Sequence, residues 1–155
     1  MKLASGIAPV ERMRDMGINM ALGTDGAASN NTMDMFEELK LTAILQKGAT
    51  HVATAMPAAE ALAISARNGA RALGFGDVGE IKVGNRADIV LIGNDNPAHT
   101  ASRDVPGTLV YATSGADVRM TMVDGRVLYM DGEFKTLDEA RVRADFARAV
   151  DGLLG

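Results

Sequence analysis

Residues 18–26 of this 155-residue chain have the sequence INMALGTDG, and they decide how the first part of the chain can fold. Side chains alternate along a strand, which places Ile18, Met20 and Leu22 on one apolar face. The other face has small or polar side chains and ends at Asp25. We therefore expect a buried strand that packs on helices and presents a carboxylate in the turn that follows it.

Helical patterns flank this strand. Pro9 and Gly17 bracket a short helix, because proline suits the first helical turn and glycine suits the position after the last. Asn31 is the expected N-cap of a helix over residues 32–47, whose glutamates Glu37 and Glu38 are expected on a solvated face. Another helix is expected to begin at Pro57 and to end at about Arg67. These elements predict an α/β arrangement.

The pattern changes near Gly74 to strands and turns. Apolar segments beside glycines predict a short strand and turn at residues 79–84, a strand at residues 88–92, and a hairpin over residues 118–130. The hairpin turn is Asp-Gly at residues 124–125, which suits a two-residue turn. The expected register pairs apolar residues on one face: Met122 with Val127, and Met120 with Tyr129. A helix over residues 137–153 is expected last.

Composition excludes several classes of protein. The formal net charge is -4 and no Lys/Arg cluster is present, so we expect no nucleic-acid partner. No apolar run reaches the ~18 residues that span a bilayer, and the first residues are too polar for a secretory signal. We therefore expect no membrane partner and a cytoplasmic protein. The chain has no cysteine, which excludes disulfides and thiolate chemistry.

Several segments together resemble the amidohydrolase superfamily, and most closely its branch of methylthioadenosine and S-adenosylhomocysteine deaminases and related chlorohydrolases. The principal segment is residues 22–31, LGTDGAASNN, which resembles the last barrel strand and the loop after it. Other matching segments follow in the expected order: residues 2–9 (KLASGIAP), 69–74 (GARALG), 79–90 (GEIKVGNRADIV) and 118–132. The resemblance therefore covers nearly the whole chain.

The resemblance implies an α/β plus β fold. Residues 1–74 would be the end of a TIM-like (β/α)8 metal-dependent hydrolase barrel, comprising its last strand and helices. Residues 75–135 would be part of a small composite β-sandwich, and residues 136–155 a C-terminal helix.

The resemblance also implies that Asp25 is both a catalytic residue and a metal ligand. In the parent enzyme it would bind zinc or iron and hydrogen-bond the attacking water, whose pKa a divalent ion lowers. Ser29 and Asn30 would line the pocket for a small-molecule substrate. The alternatives are a simple turn role for Asp25, and loop or capping roles for Ser29 and Asn30.

The sequence departs from the family pattern in its histidines. The only two are His51 and His99, no His-x-His pair exists, and we expect both to be solvated loop residues. One carboxylate cannot hold a catalytic zinc, which needs three or more protein ligands. We therefore predict a C-terminal fragment of an enzyme that hydrolyses C–N bonds, of the aminopurine nucleoside deaminase type. Alone it would be inactive and could lack a metal.

Two alternative functions stay open. One is a non-catalytic structural or interaction module derived from the same fold. The other is a different amidohydrolase, such as an imidazolonepropionase-like enzyme or a chlorohydrolase. In each case a strand at residues 18–24 would have unpaired edges, so we expect a homo-oligomer or a partner that supplies the N-terminal half.

Overall fold

The computed structural model describes residues 3–100 and 103–155. Lys2, the first residue of the segment 2–9 that resembles the amidohydrolases, lies outside them. The chain packs as two units, one of residues up to Asn85 together with Gly93–Asp117, the other of Arg86–Ile92 together with Val118–Gly155. The predicted boundaries at residues 74 and 135 separate a barrel segment, a sandwich segment and a C-terminal helix of a larger fold. They stay a prediction.

The first unit is helical. Its helices are α1 (Val10–Asp15), α2 (Met35–Thr50), α3 (Ala58–Ser65), α4 (Arg67–Ala72), α5 (Pro97–Thr100) and α6 (Val105–Tyr111). Apolar side chains of α2, α3 and α6 form the buried core, which contains Leu39, Ala43, Met56, Ala61, Ile64 and Val110. Helix α6 contains most of the apolar residues 108–112. Its N-cap is Asp104, which accepts a hydrogen bond from Gly107 N.

Helix α2 begins later than the sequence predicts. Its N-cap is Asp34 and not Asn31, because Met33 has a φ of +49° that a right-handed helix excludes. Asp34 Oδ1 accepts a hydrogen bond from Phe36 N at 2.9 Å, and its Oδ2 accepts one from Gly115 N at 2.8 Å. One carboxylate therefore caps α2 and holds a later segment of the same unit against it.

Residues 18–24 form neither a helix nor a turn, and their alternating burial is that of an extended segment, but within the described residues this segment pairs with no other strand. Its burial alternates as predicted, since Met20 and Leu22 pack against the helical core while Ala21 and Gly23 are exposed. Ile18, predicted to share the buried face, is 43% exposed. The segment thus has the side-chain pattern of a strand without the backbone pairing of one.

The second unit contains an antiparallel sheet in the order β1 (Ile89–Ile92), β2 (Val118–Val123), β3 (Arg126–Met130) and β4 (Glu133–Phe134), and the helix α7 (Glu139–Leu154). The sheet confirms the hairpin and the strand near residues 88–92. Asp88 Oδ1 accepts a hydrogen bond from Asp124 N at 2.7 Å, which joins β1 to the hairpin turn. None of the described helices is both long and apolar enough to cross a membrane.

Two details of the strand predictions are wrong. Met122 does lie opposite Val127, but an irregularity between Thr121 and Met122 places Met120 opposite Met130 instead of Tyr129. An extra residue on one strand shifts every later pair, and the turn dipeptide does not encode it. Residues 79–84 contain the predicted turn, at residues 83–84, but no strand. A Cβ on Gly79, whose φ is +86°, would lie 2.9 Å from Arg67 Cα, so the backbone passes too close for a regular strand.

The core predicts a test of the helical unit. Leu39 is 3% exposed, whereas Ile44 on the same helix is 41% exposed. We expect Leu39→Ala to lower the free energy of unfolding by about 2–5 kcal/mol, because it leaves a cavity in the core. Ile44→Ala is the matched control and should cost much less. Urea unfolding followed by circular dichroism checks this, and equal losses would contradict the core described above.

Candidate functional site

The extended segment ends beside a large cavity. This cavity is open and has a volume of about 660 Å³. Its walls are the chain around residues 3–8, the extended segment and the loop 29–32, and its floor is α2. Asp25, Ser29 and Asn30 all line it, so the structure brings the three predicted site residues to one cavity.

Asp25 occupies a special backbone position at the end of the segment. Its φ is +63°, in the left-handed region that few residues other than glycine, asparagine and aspartate adopt. Its Oδ1 accepts a hydrogen bond from Gly26 N at 2.7 Å, and the side chain is exposed to solvent. The hydrogen bond from the Ser29 hydroxyl, and then that from Gly26 N–H, lower the pKa of Asp25 below its ordinary value. Asp25 is therefore a carboxylate at neutral pH.

A tight turn follows Asp25. The backbone N–H groups of Ser29 and Asn30 both donate to Gly26 O, at 3.0 and 2.9 Å. In this turn the Ser29 hydroxyl donates to Gly26 O at 3.2 Å, and it is the largest cause of the lowered pKa of Asp25. Ser29 thus acts on Asp25 in the structure, and its predicted contact with a substrate stays a prediction.

The Asn30 side chain joins this turn to α2. Its Nδ2 donates to Glu38 Oε1 at 2.5 Å, and its Oδ1 accepts from Met33 N at 3.2 Å. The Thr32 hydroxyl lies within reach of both Asn30 Oδ1, at 3.1 Å, and Glu37 Oε2, at 2.6 Å. Both ends of the Asn30 amide are therefore engaged inside the protein.

Sequence reasoning missed the part that the α2 glutamates play here. It placed Glu37 and Glu38 on a solvated helix face, whereas both line the cavity and Glu38 is half-buried. The available signal was their place in the first turn of a helix that follows a loop rich in asparagine and serine. Side chains of a first helical turn can meet the loop that precedes the helix.

The two histidines lie elsewhere, and one prediction about them is wrong. His51 is exposed, as predicted, at the C-terminal end of α2. His99 is buried, with 6% exposure. Its burial is tolerated because each ring nitrogen has a polar neighbour. Its Nδ1 is 2.9 Å from Gly93 O and its Nε2 is 3.3 Å from Thr113 Oγ1. His99 is a structural residue that joins the two ends of the segment 93–113.

The donor set does not fit a catalytic metal by itself. No group of three or more histidine, aspartate or glutamate side chains in residues 3–100 and 103–155 is arranged to hold a metal ion. A catalytic zinc needs three protein ligands, and the carboxylates that line the cavity, Asp25, Glu37 and Glu38, are not arranged as such a group. The described residues therefore do not form a complete metal centre.

Comparison with protein families shows to which family this chain belongs. Residues 1–128 match the family described as the amidohydrolase family. The chain belongs to the amidohydrolase family. The resemblance expected from residues 22–31 is thereby confirmed.

Individual relatives of this amidohydrolase chain are deaminases. It is 47% identical over 154 residues to a 5'-deoxyadenosine deaminase of Methanosarcina barkeri, covering 99% of this chain and 35% of the relative. It is 48% identical over 153 residues to a 5-methylthioadenosine/S-adenosylhomocysteine deaminase of Halobacterium salinarum, covering 99% and 35%. A zinc-bound adenosine deaminase structure from Xanthomonas campestris superposes with a TM-score of 0.92 at 38% identity, covering 97% of this chain and 34% of that chain.

The amidohydrolase chain thus spans about a third of the length of the curated relatives it matches. Almost all of the chain is matched, while roughly two thirds of each relative have no counterpart in it. The relatives are enzymes, but what they act on is a property of the longer proteins.

The Asp25 turn predicts a specific effect of pH. Ser29→Ala should raise the Asp25 pKa toward its ordinary value, because the larger of its two stabilising hydrogen bonds is lost. Since the folded-state pKa is lowered, this interaction stabilises the fold above the ordinary aspartate pKa of ~4, and the stabilisation is lost as pH falls through the lowered value.

Carboxyl-detected NMR titration measures this pKa directly. Ser29→Thr is the matched control, because it keeps a hydroxyl and should retain the lowered pKa. An unchanged Asp25 pKa in Ser29→Ala would show that the hydroxyl does not bond the carboxylate.

Proposed function

We propose that this chain supplies the closing strand and one metal ligand, Asp25, of a metal-dependent amidohydrolase that removes ammonia from an aminopurine nucleoside. The observation that supports this best is the position of Asp25. It is an ionised carboxylate beside an open cavity, at the end of an extended segment whose sequence resembles the last strand of the family barrel. The identity to nucleoside deaminases supports the substrate class.

The chemistry suits an exposed carboxylate. Hydrolytic deamination adds water to the ring carbon that bears the amino group and breaks the C–N bond, which releases ammonia. A carboxylate can accept a proton from the attacking water and return it to the departing nitrogen. Asp25 Oδ1 is already bonded to Gly26 N, so the second oxygen is the one proposed for this role. Ser29 and Asn30 would shape the cavity around the substrate.

The rest of the metal centre must come from elsewhere. We propose that Asp25 is one ligand and that the others, histidines in the family pattern, lie on the polypeptide segment that forms the remaining barrel strands, whether or not it belongs to the same protein. The backbone of residues 20–24 makes no hydrogen bond to any other part of the described chain. An extended segment in this state is a template for strand addition on both edges, which is how such a polypeptide would join it.

Three alternatives are distinguishable from this proposal. A homo-oligomer would cover the open edges with a second copy but would add no histidine pair. A non-catalytic module would bind a partner without turnover. A chlorohydrolase or an imidazolonepropionase-like enzyme would turn over a different substrate. The deaminase is favoured because this chain is 47% and 48% identical to two proteins named as deaminases.

Complementation provides the test. We expect this chain, refolded with the part of the Methanosarcina barkeri deaminase that it does not match, to bind zinc and to release ammonia from 5'-deoxyadenosine, methylthioadenosine or S-adenosylhomocysteine. Asp25→Asn should reduce turnover by more than the 10–100-fold that is typical of losing an outer-shell partner of a metal. Zinc is measured by mass spectrometry, and ammonia by a coupled assay.

The controls separate the alternatives. His51→Ala should leave turnover unchanged, since His51 lies at the far end of α2. A complex that forms but binds no zinc would exclude the proposed enzyme and favour the non-catalytic module. Turnover of a chlorinated ring but not of an aminopurine would favour the chlorohydrolase. Self-association of the chain, with no binding of the added polypeptide, would favour the homo-oligomer.

A further inference from the structure

The cavity beside the extended segment continues along α2, well past the turn that follows Asp25. Its α2 side is a row of residues three or four positions apart, which share one face of a helix: Glu37, Glu38, Leu41, Thr42 and Leu45. Glu37 and Leu45 are about 12 Å apart along the helix axis, at 1.5 Å per residue. The cavity is therefore a groove with two glutamates at one end and leucines along the rest.

Much of the groove wall is apolar and open to solvent. Leu41 and Leu45 are only half-buried, although another face of α2 packs in the core. On the other walls of the groove, Met20 and Leu22 are also half-buried, and Ile7 is 40% exposed. An apolar surface with a polar rim is typical of a site that another polypeptide covers.

The extended segment adds backbone groups to this surface. Residues 20–24 make no backbone hydrogen bond to any other part of the described chain. They run for about 13 Å at ~3.3 Å per residue, which is close to the length of the α2 row. Peptide groups that are covered without a partner are costly, so the occupant of the groove has to offer N–H and C=O groups in turn. An extended peptide offers such a series, whereas a compact small molecule does not.

The charges at the glutamate end indicate which peptide fits. Glu37 accepts a hydrogen bond from the Thr32 hydroxyl and Glu38 accepts one from the Asn30 amide, so their hydrogen-bond partners in the described chain are neutral. None of the described residues that line the cavity is a lysine, an arginine or a histidine. Two carboxylates at one end of an apolar groove favour a partner with a cationic side chain there. Asp25 is not counted, because the proposed function assigns it to a metal.

We infer that this groove docks an extended polypeptide segment that has apolar side chains and a lysine or arginine at the end that meets Glu37 and Glu38. The segment pairs its backbone with residues 20–24 and packs its apolar side chains on Leu41 and Leu45. Roughly two thirds of each deaminase relative has no counterpart in this chain, so proteins of this kind contain the polypeptide needed. The identity of the partner, as the segment with the remaining barrel strands, rests on the proposed function.

A model peptide tests the groove in the intact chain. The probe is a fluorescein-labelled peptide in which valine alternates with threonine and a lysine stands at each end, so that either strand direction brings a lysine to the glutamates. We expect saturable binding by fluorescence anisotropy, and slower hydrogen exchange at the amides of residues 20–24 in the complex. The same peptide with glutamate at each end should bind about tenfold more weakly. A central proline, which removes an N–H, should also weaken binding.

Matched variants locate the bound peptide. Leu45→Ala should weaken its binding several-fold through lost apolar contact, whereas Ile44→Ala, on the same helix but outside the cavity, should not. Glu37→Gln should weaken binding by about two- to fivefold, the range of an exposed ion pair, and high salt should abolish this difference. Glu133→Gln is its control, because Glu133 lies in the other unit and pairs with Lys135. Circular dichroism spectra like that of the parent chain show that the variants fold.

Several results would overturn the inference. They are no saturable binding of the lysine peptide, equal binding of the lysine and glutamate peptides, and unchanged exchange at residues 20–24. A dimer in analytical ultracentrifugation that Leu45→Ala dissociates would assign the groove to a second copy of the chain. Binding of 5'-deoxyadenosine that Leu45→Ala weakens would assign the groove to a small molecule.

Failure of the proposed function would have a different signature. If complementation yields no zinc centre while the peptide and the variants behave as expected, the proposed function fails and the groove remains a docking site. If complementation yields an active enzyme whose assembly is unaffected by Leu45→Ala and Glu37→Gln, and the lysine peptide does not bind, the docking inference alone fails.

Discussion

The first unit depends on the extended segment 18–24. Apolar side chains of this segment pack on the helical core, but the backbone of residues 20–24 makes no hydrogen bond to the rest of the described chain. Met20 and Leu22 pack on the helical core and are partly buried, so each contributes part of the roughly 1.5–3 kcal/mol that full burial of such a side chain gives. The peptide groups of the same residues find no partner within the described chain. Packing therefore fixes where the segment lies and which way Asp25 faces, but it leaves strong hydrogen-bonding groups open along both edges.

Local sequence signals predicted most of the elements. Pro57 precedes α3, and the Asp-Gly pair at residues 124–125 forms the hairpin turn, because each signal acts through backbone angles within a few residues. The signals failed where more than one residue was suitable for the same structural position. Asn31 and Asp34 are both good N-caps, and only the positive φ of Met33 decides between them. That angle arises from the packing of the whole loop.

The site was predicted in part, for a similar reason. The resemblance pointed to residues 22–31, and the structure shows Asp25, Ser29 and Asn30 on one cavity wall. It could not show that Ser29 bonds to Asp25 or that Asn30 bonds to Glu38, since these contacts depend on how the turn and α2 meet in space. His99 illustrates the same limit, because its burial follows from partners at residues 93 and 113 and not from its neighbours in sequence.

The left-handed backbone at Asp25 limits which residues can occupy this position. If Asp25 binds a metal as proposed, two independent requirements meet at this one position, a backbone angle that glycine, asparagine and aspartate tolerate and a negative charge that aspartate and glutamate provide. Aspartate alone satisfies both. Asparagine at this position would keep the backbone angle and lose the charge, whereas glutamate would keep the charge and strain the turn.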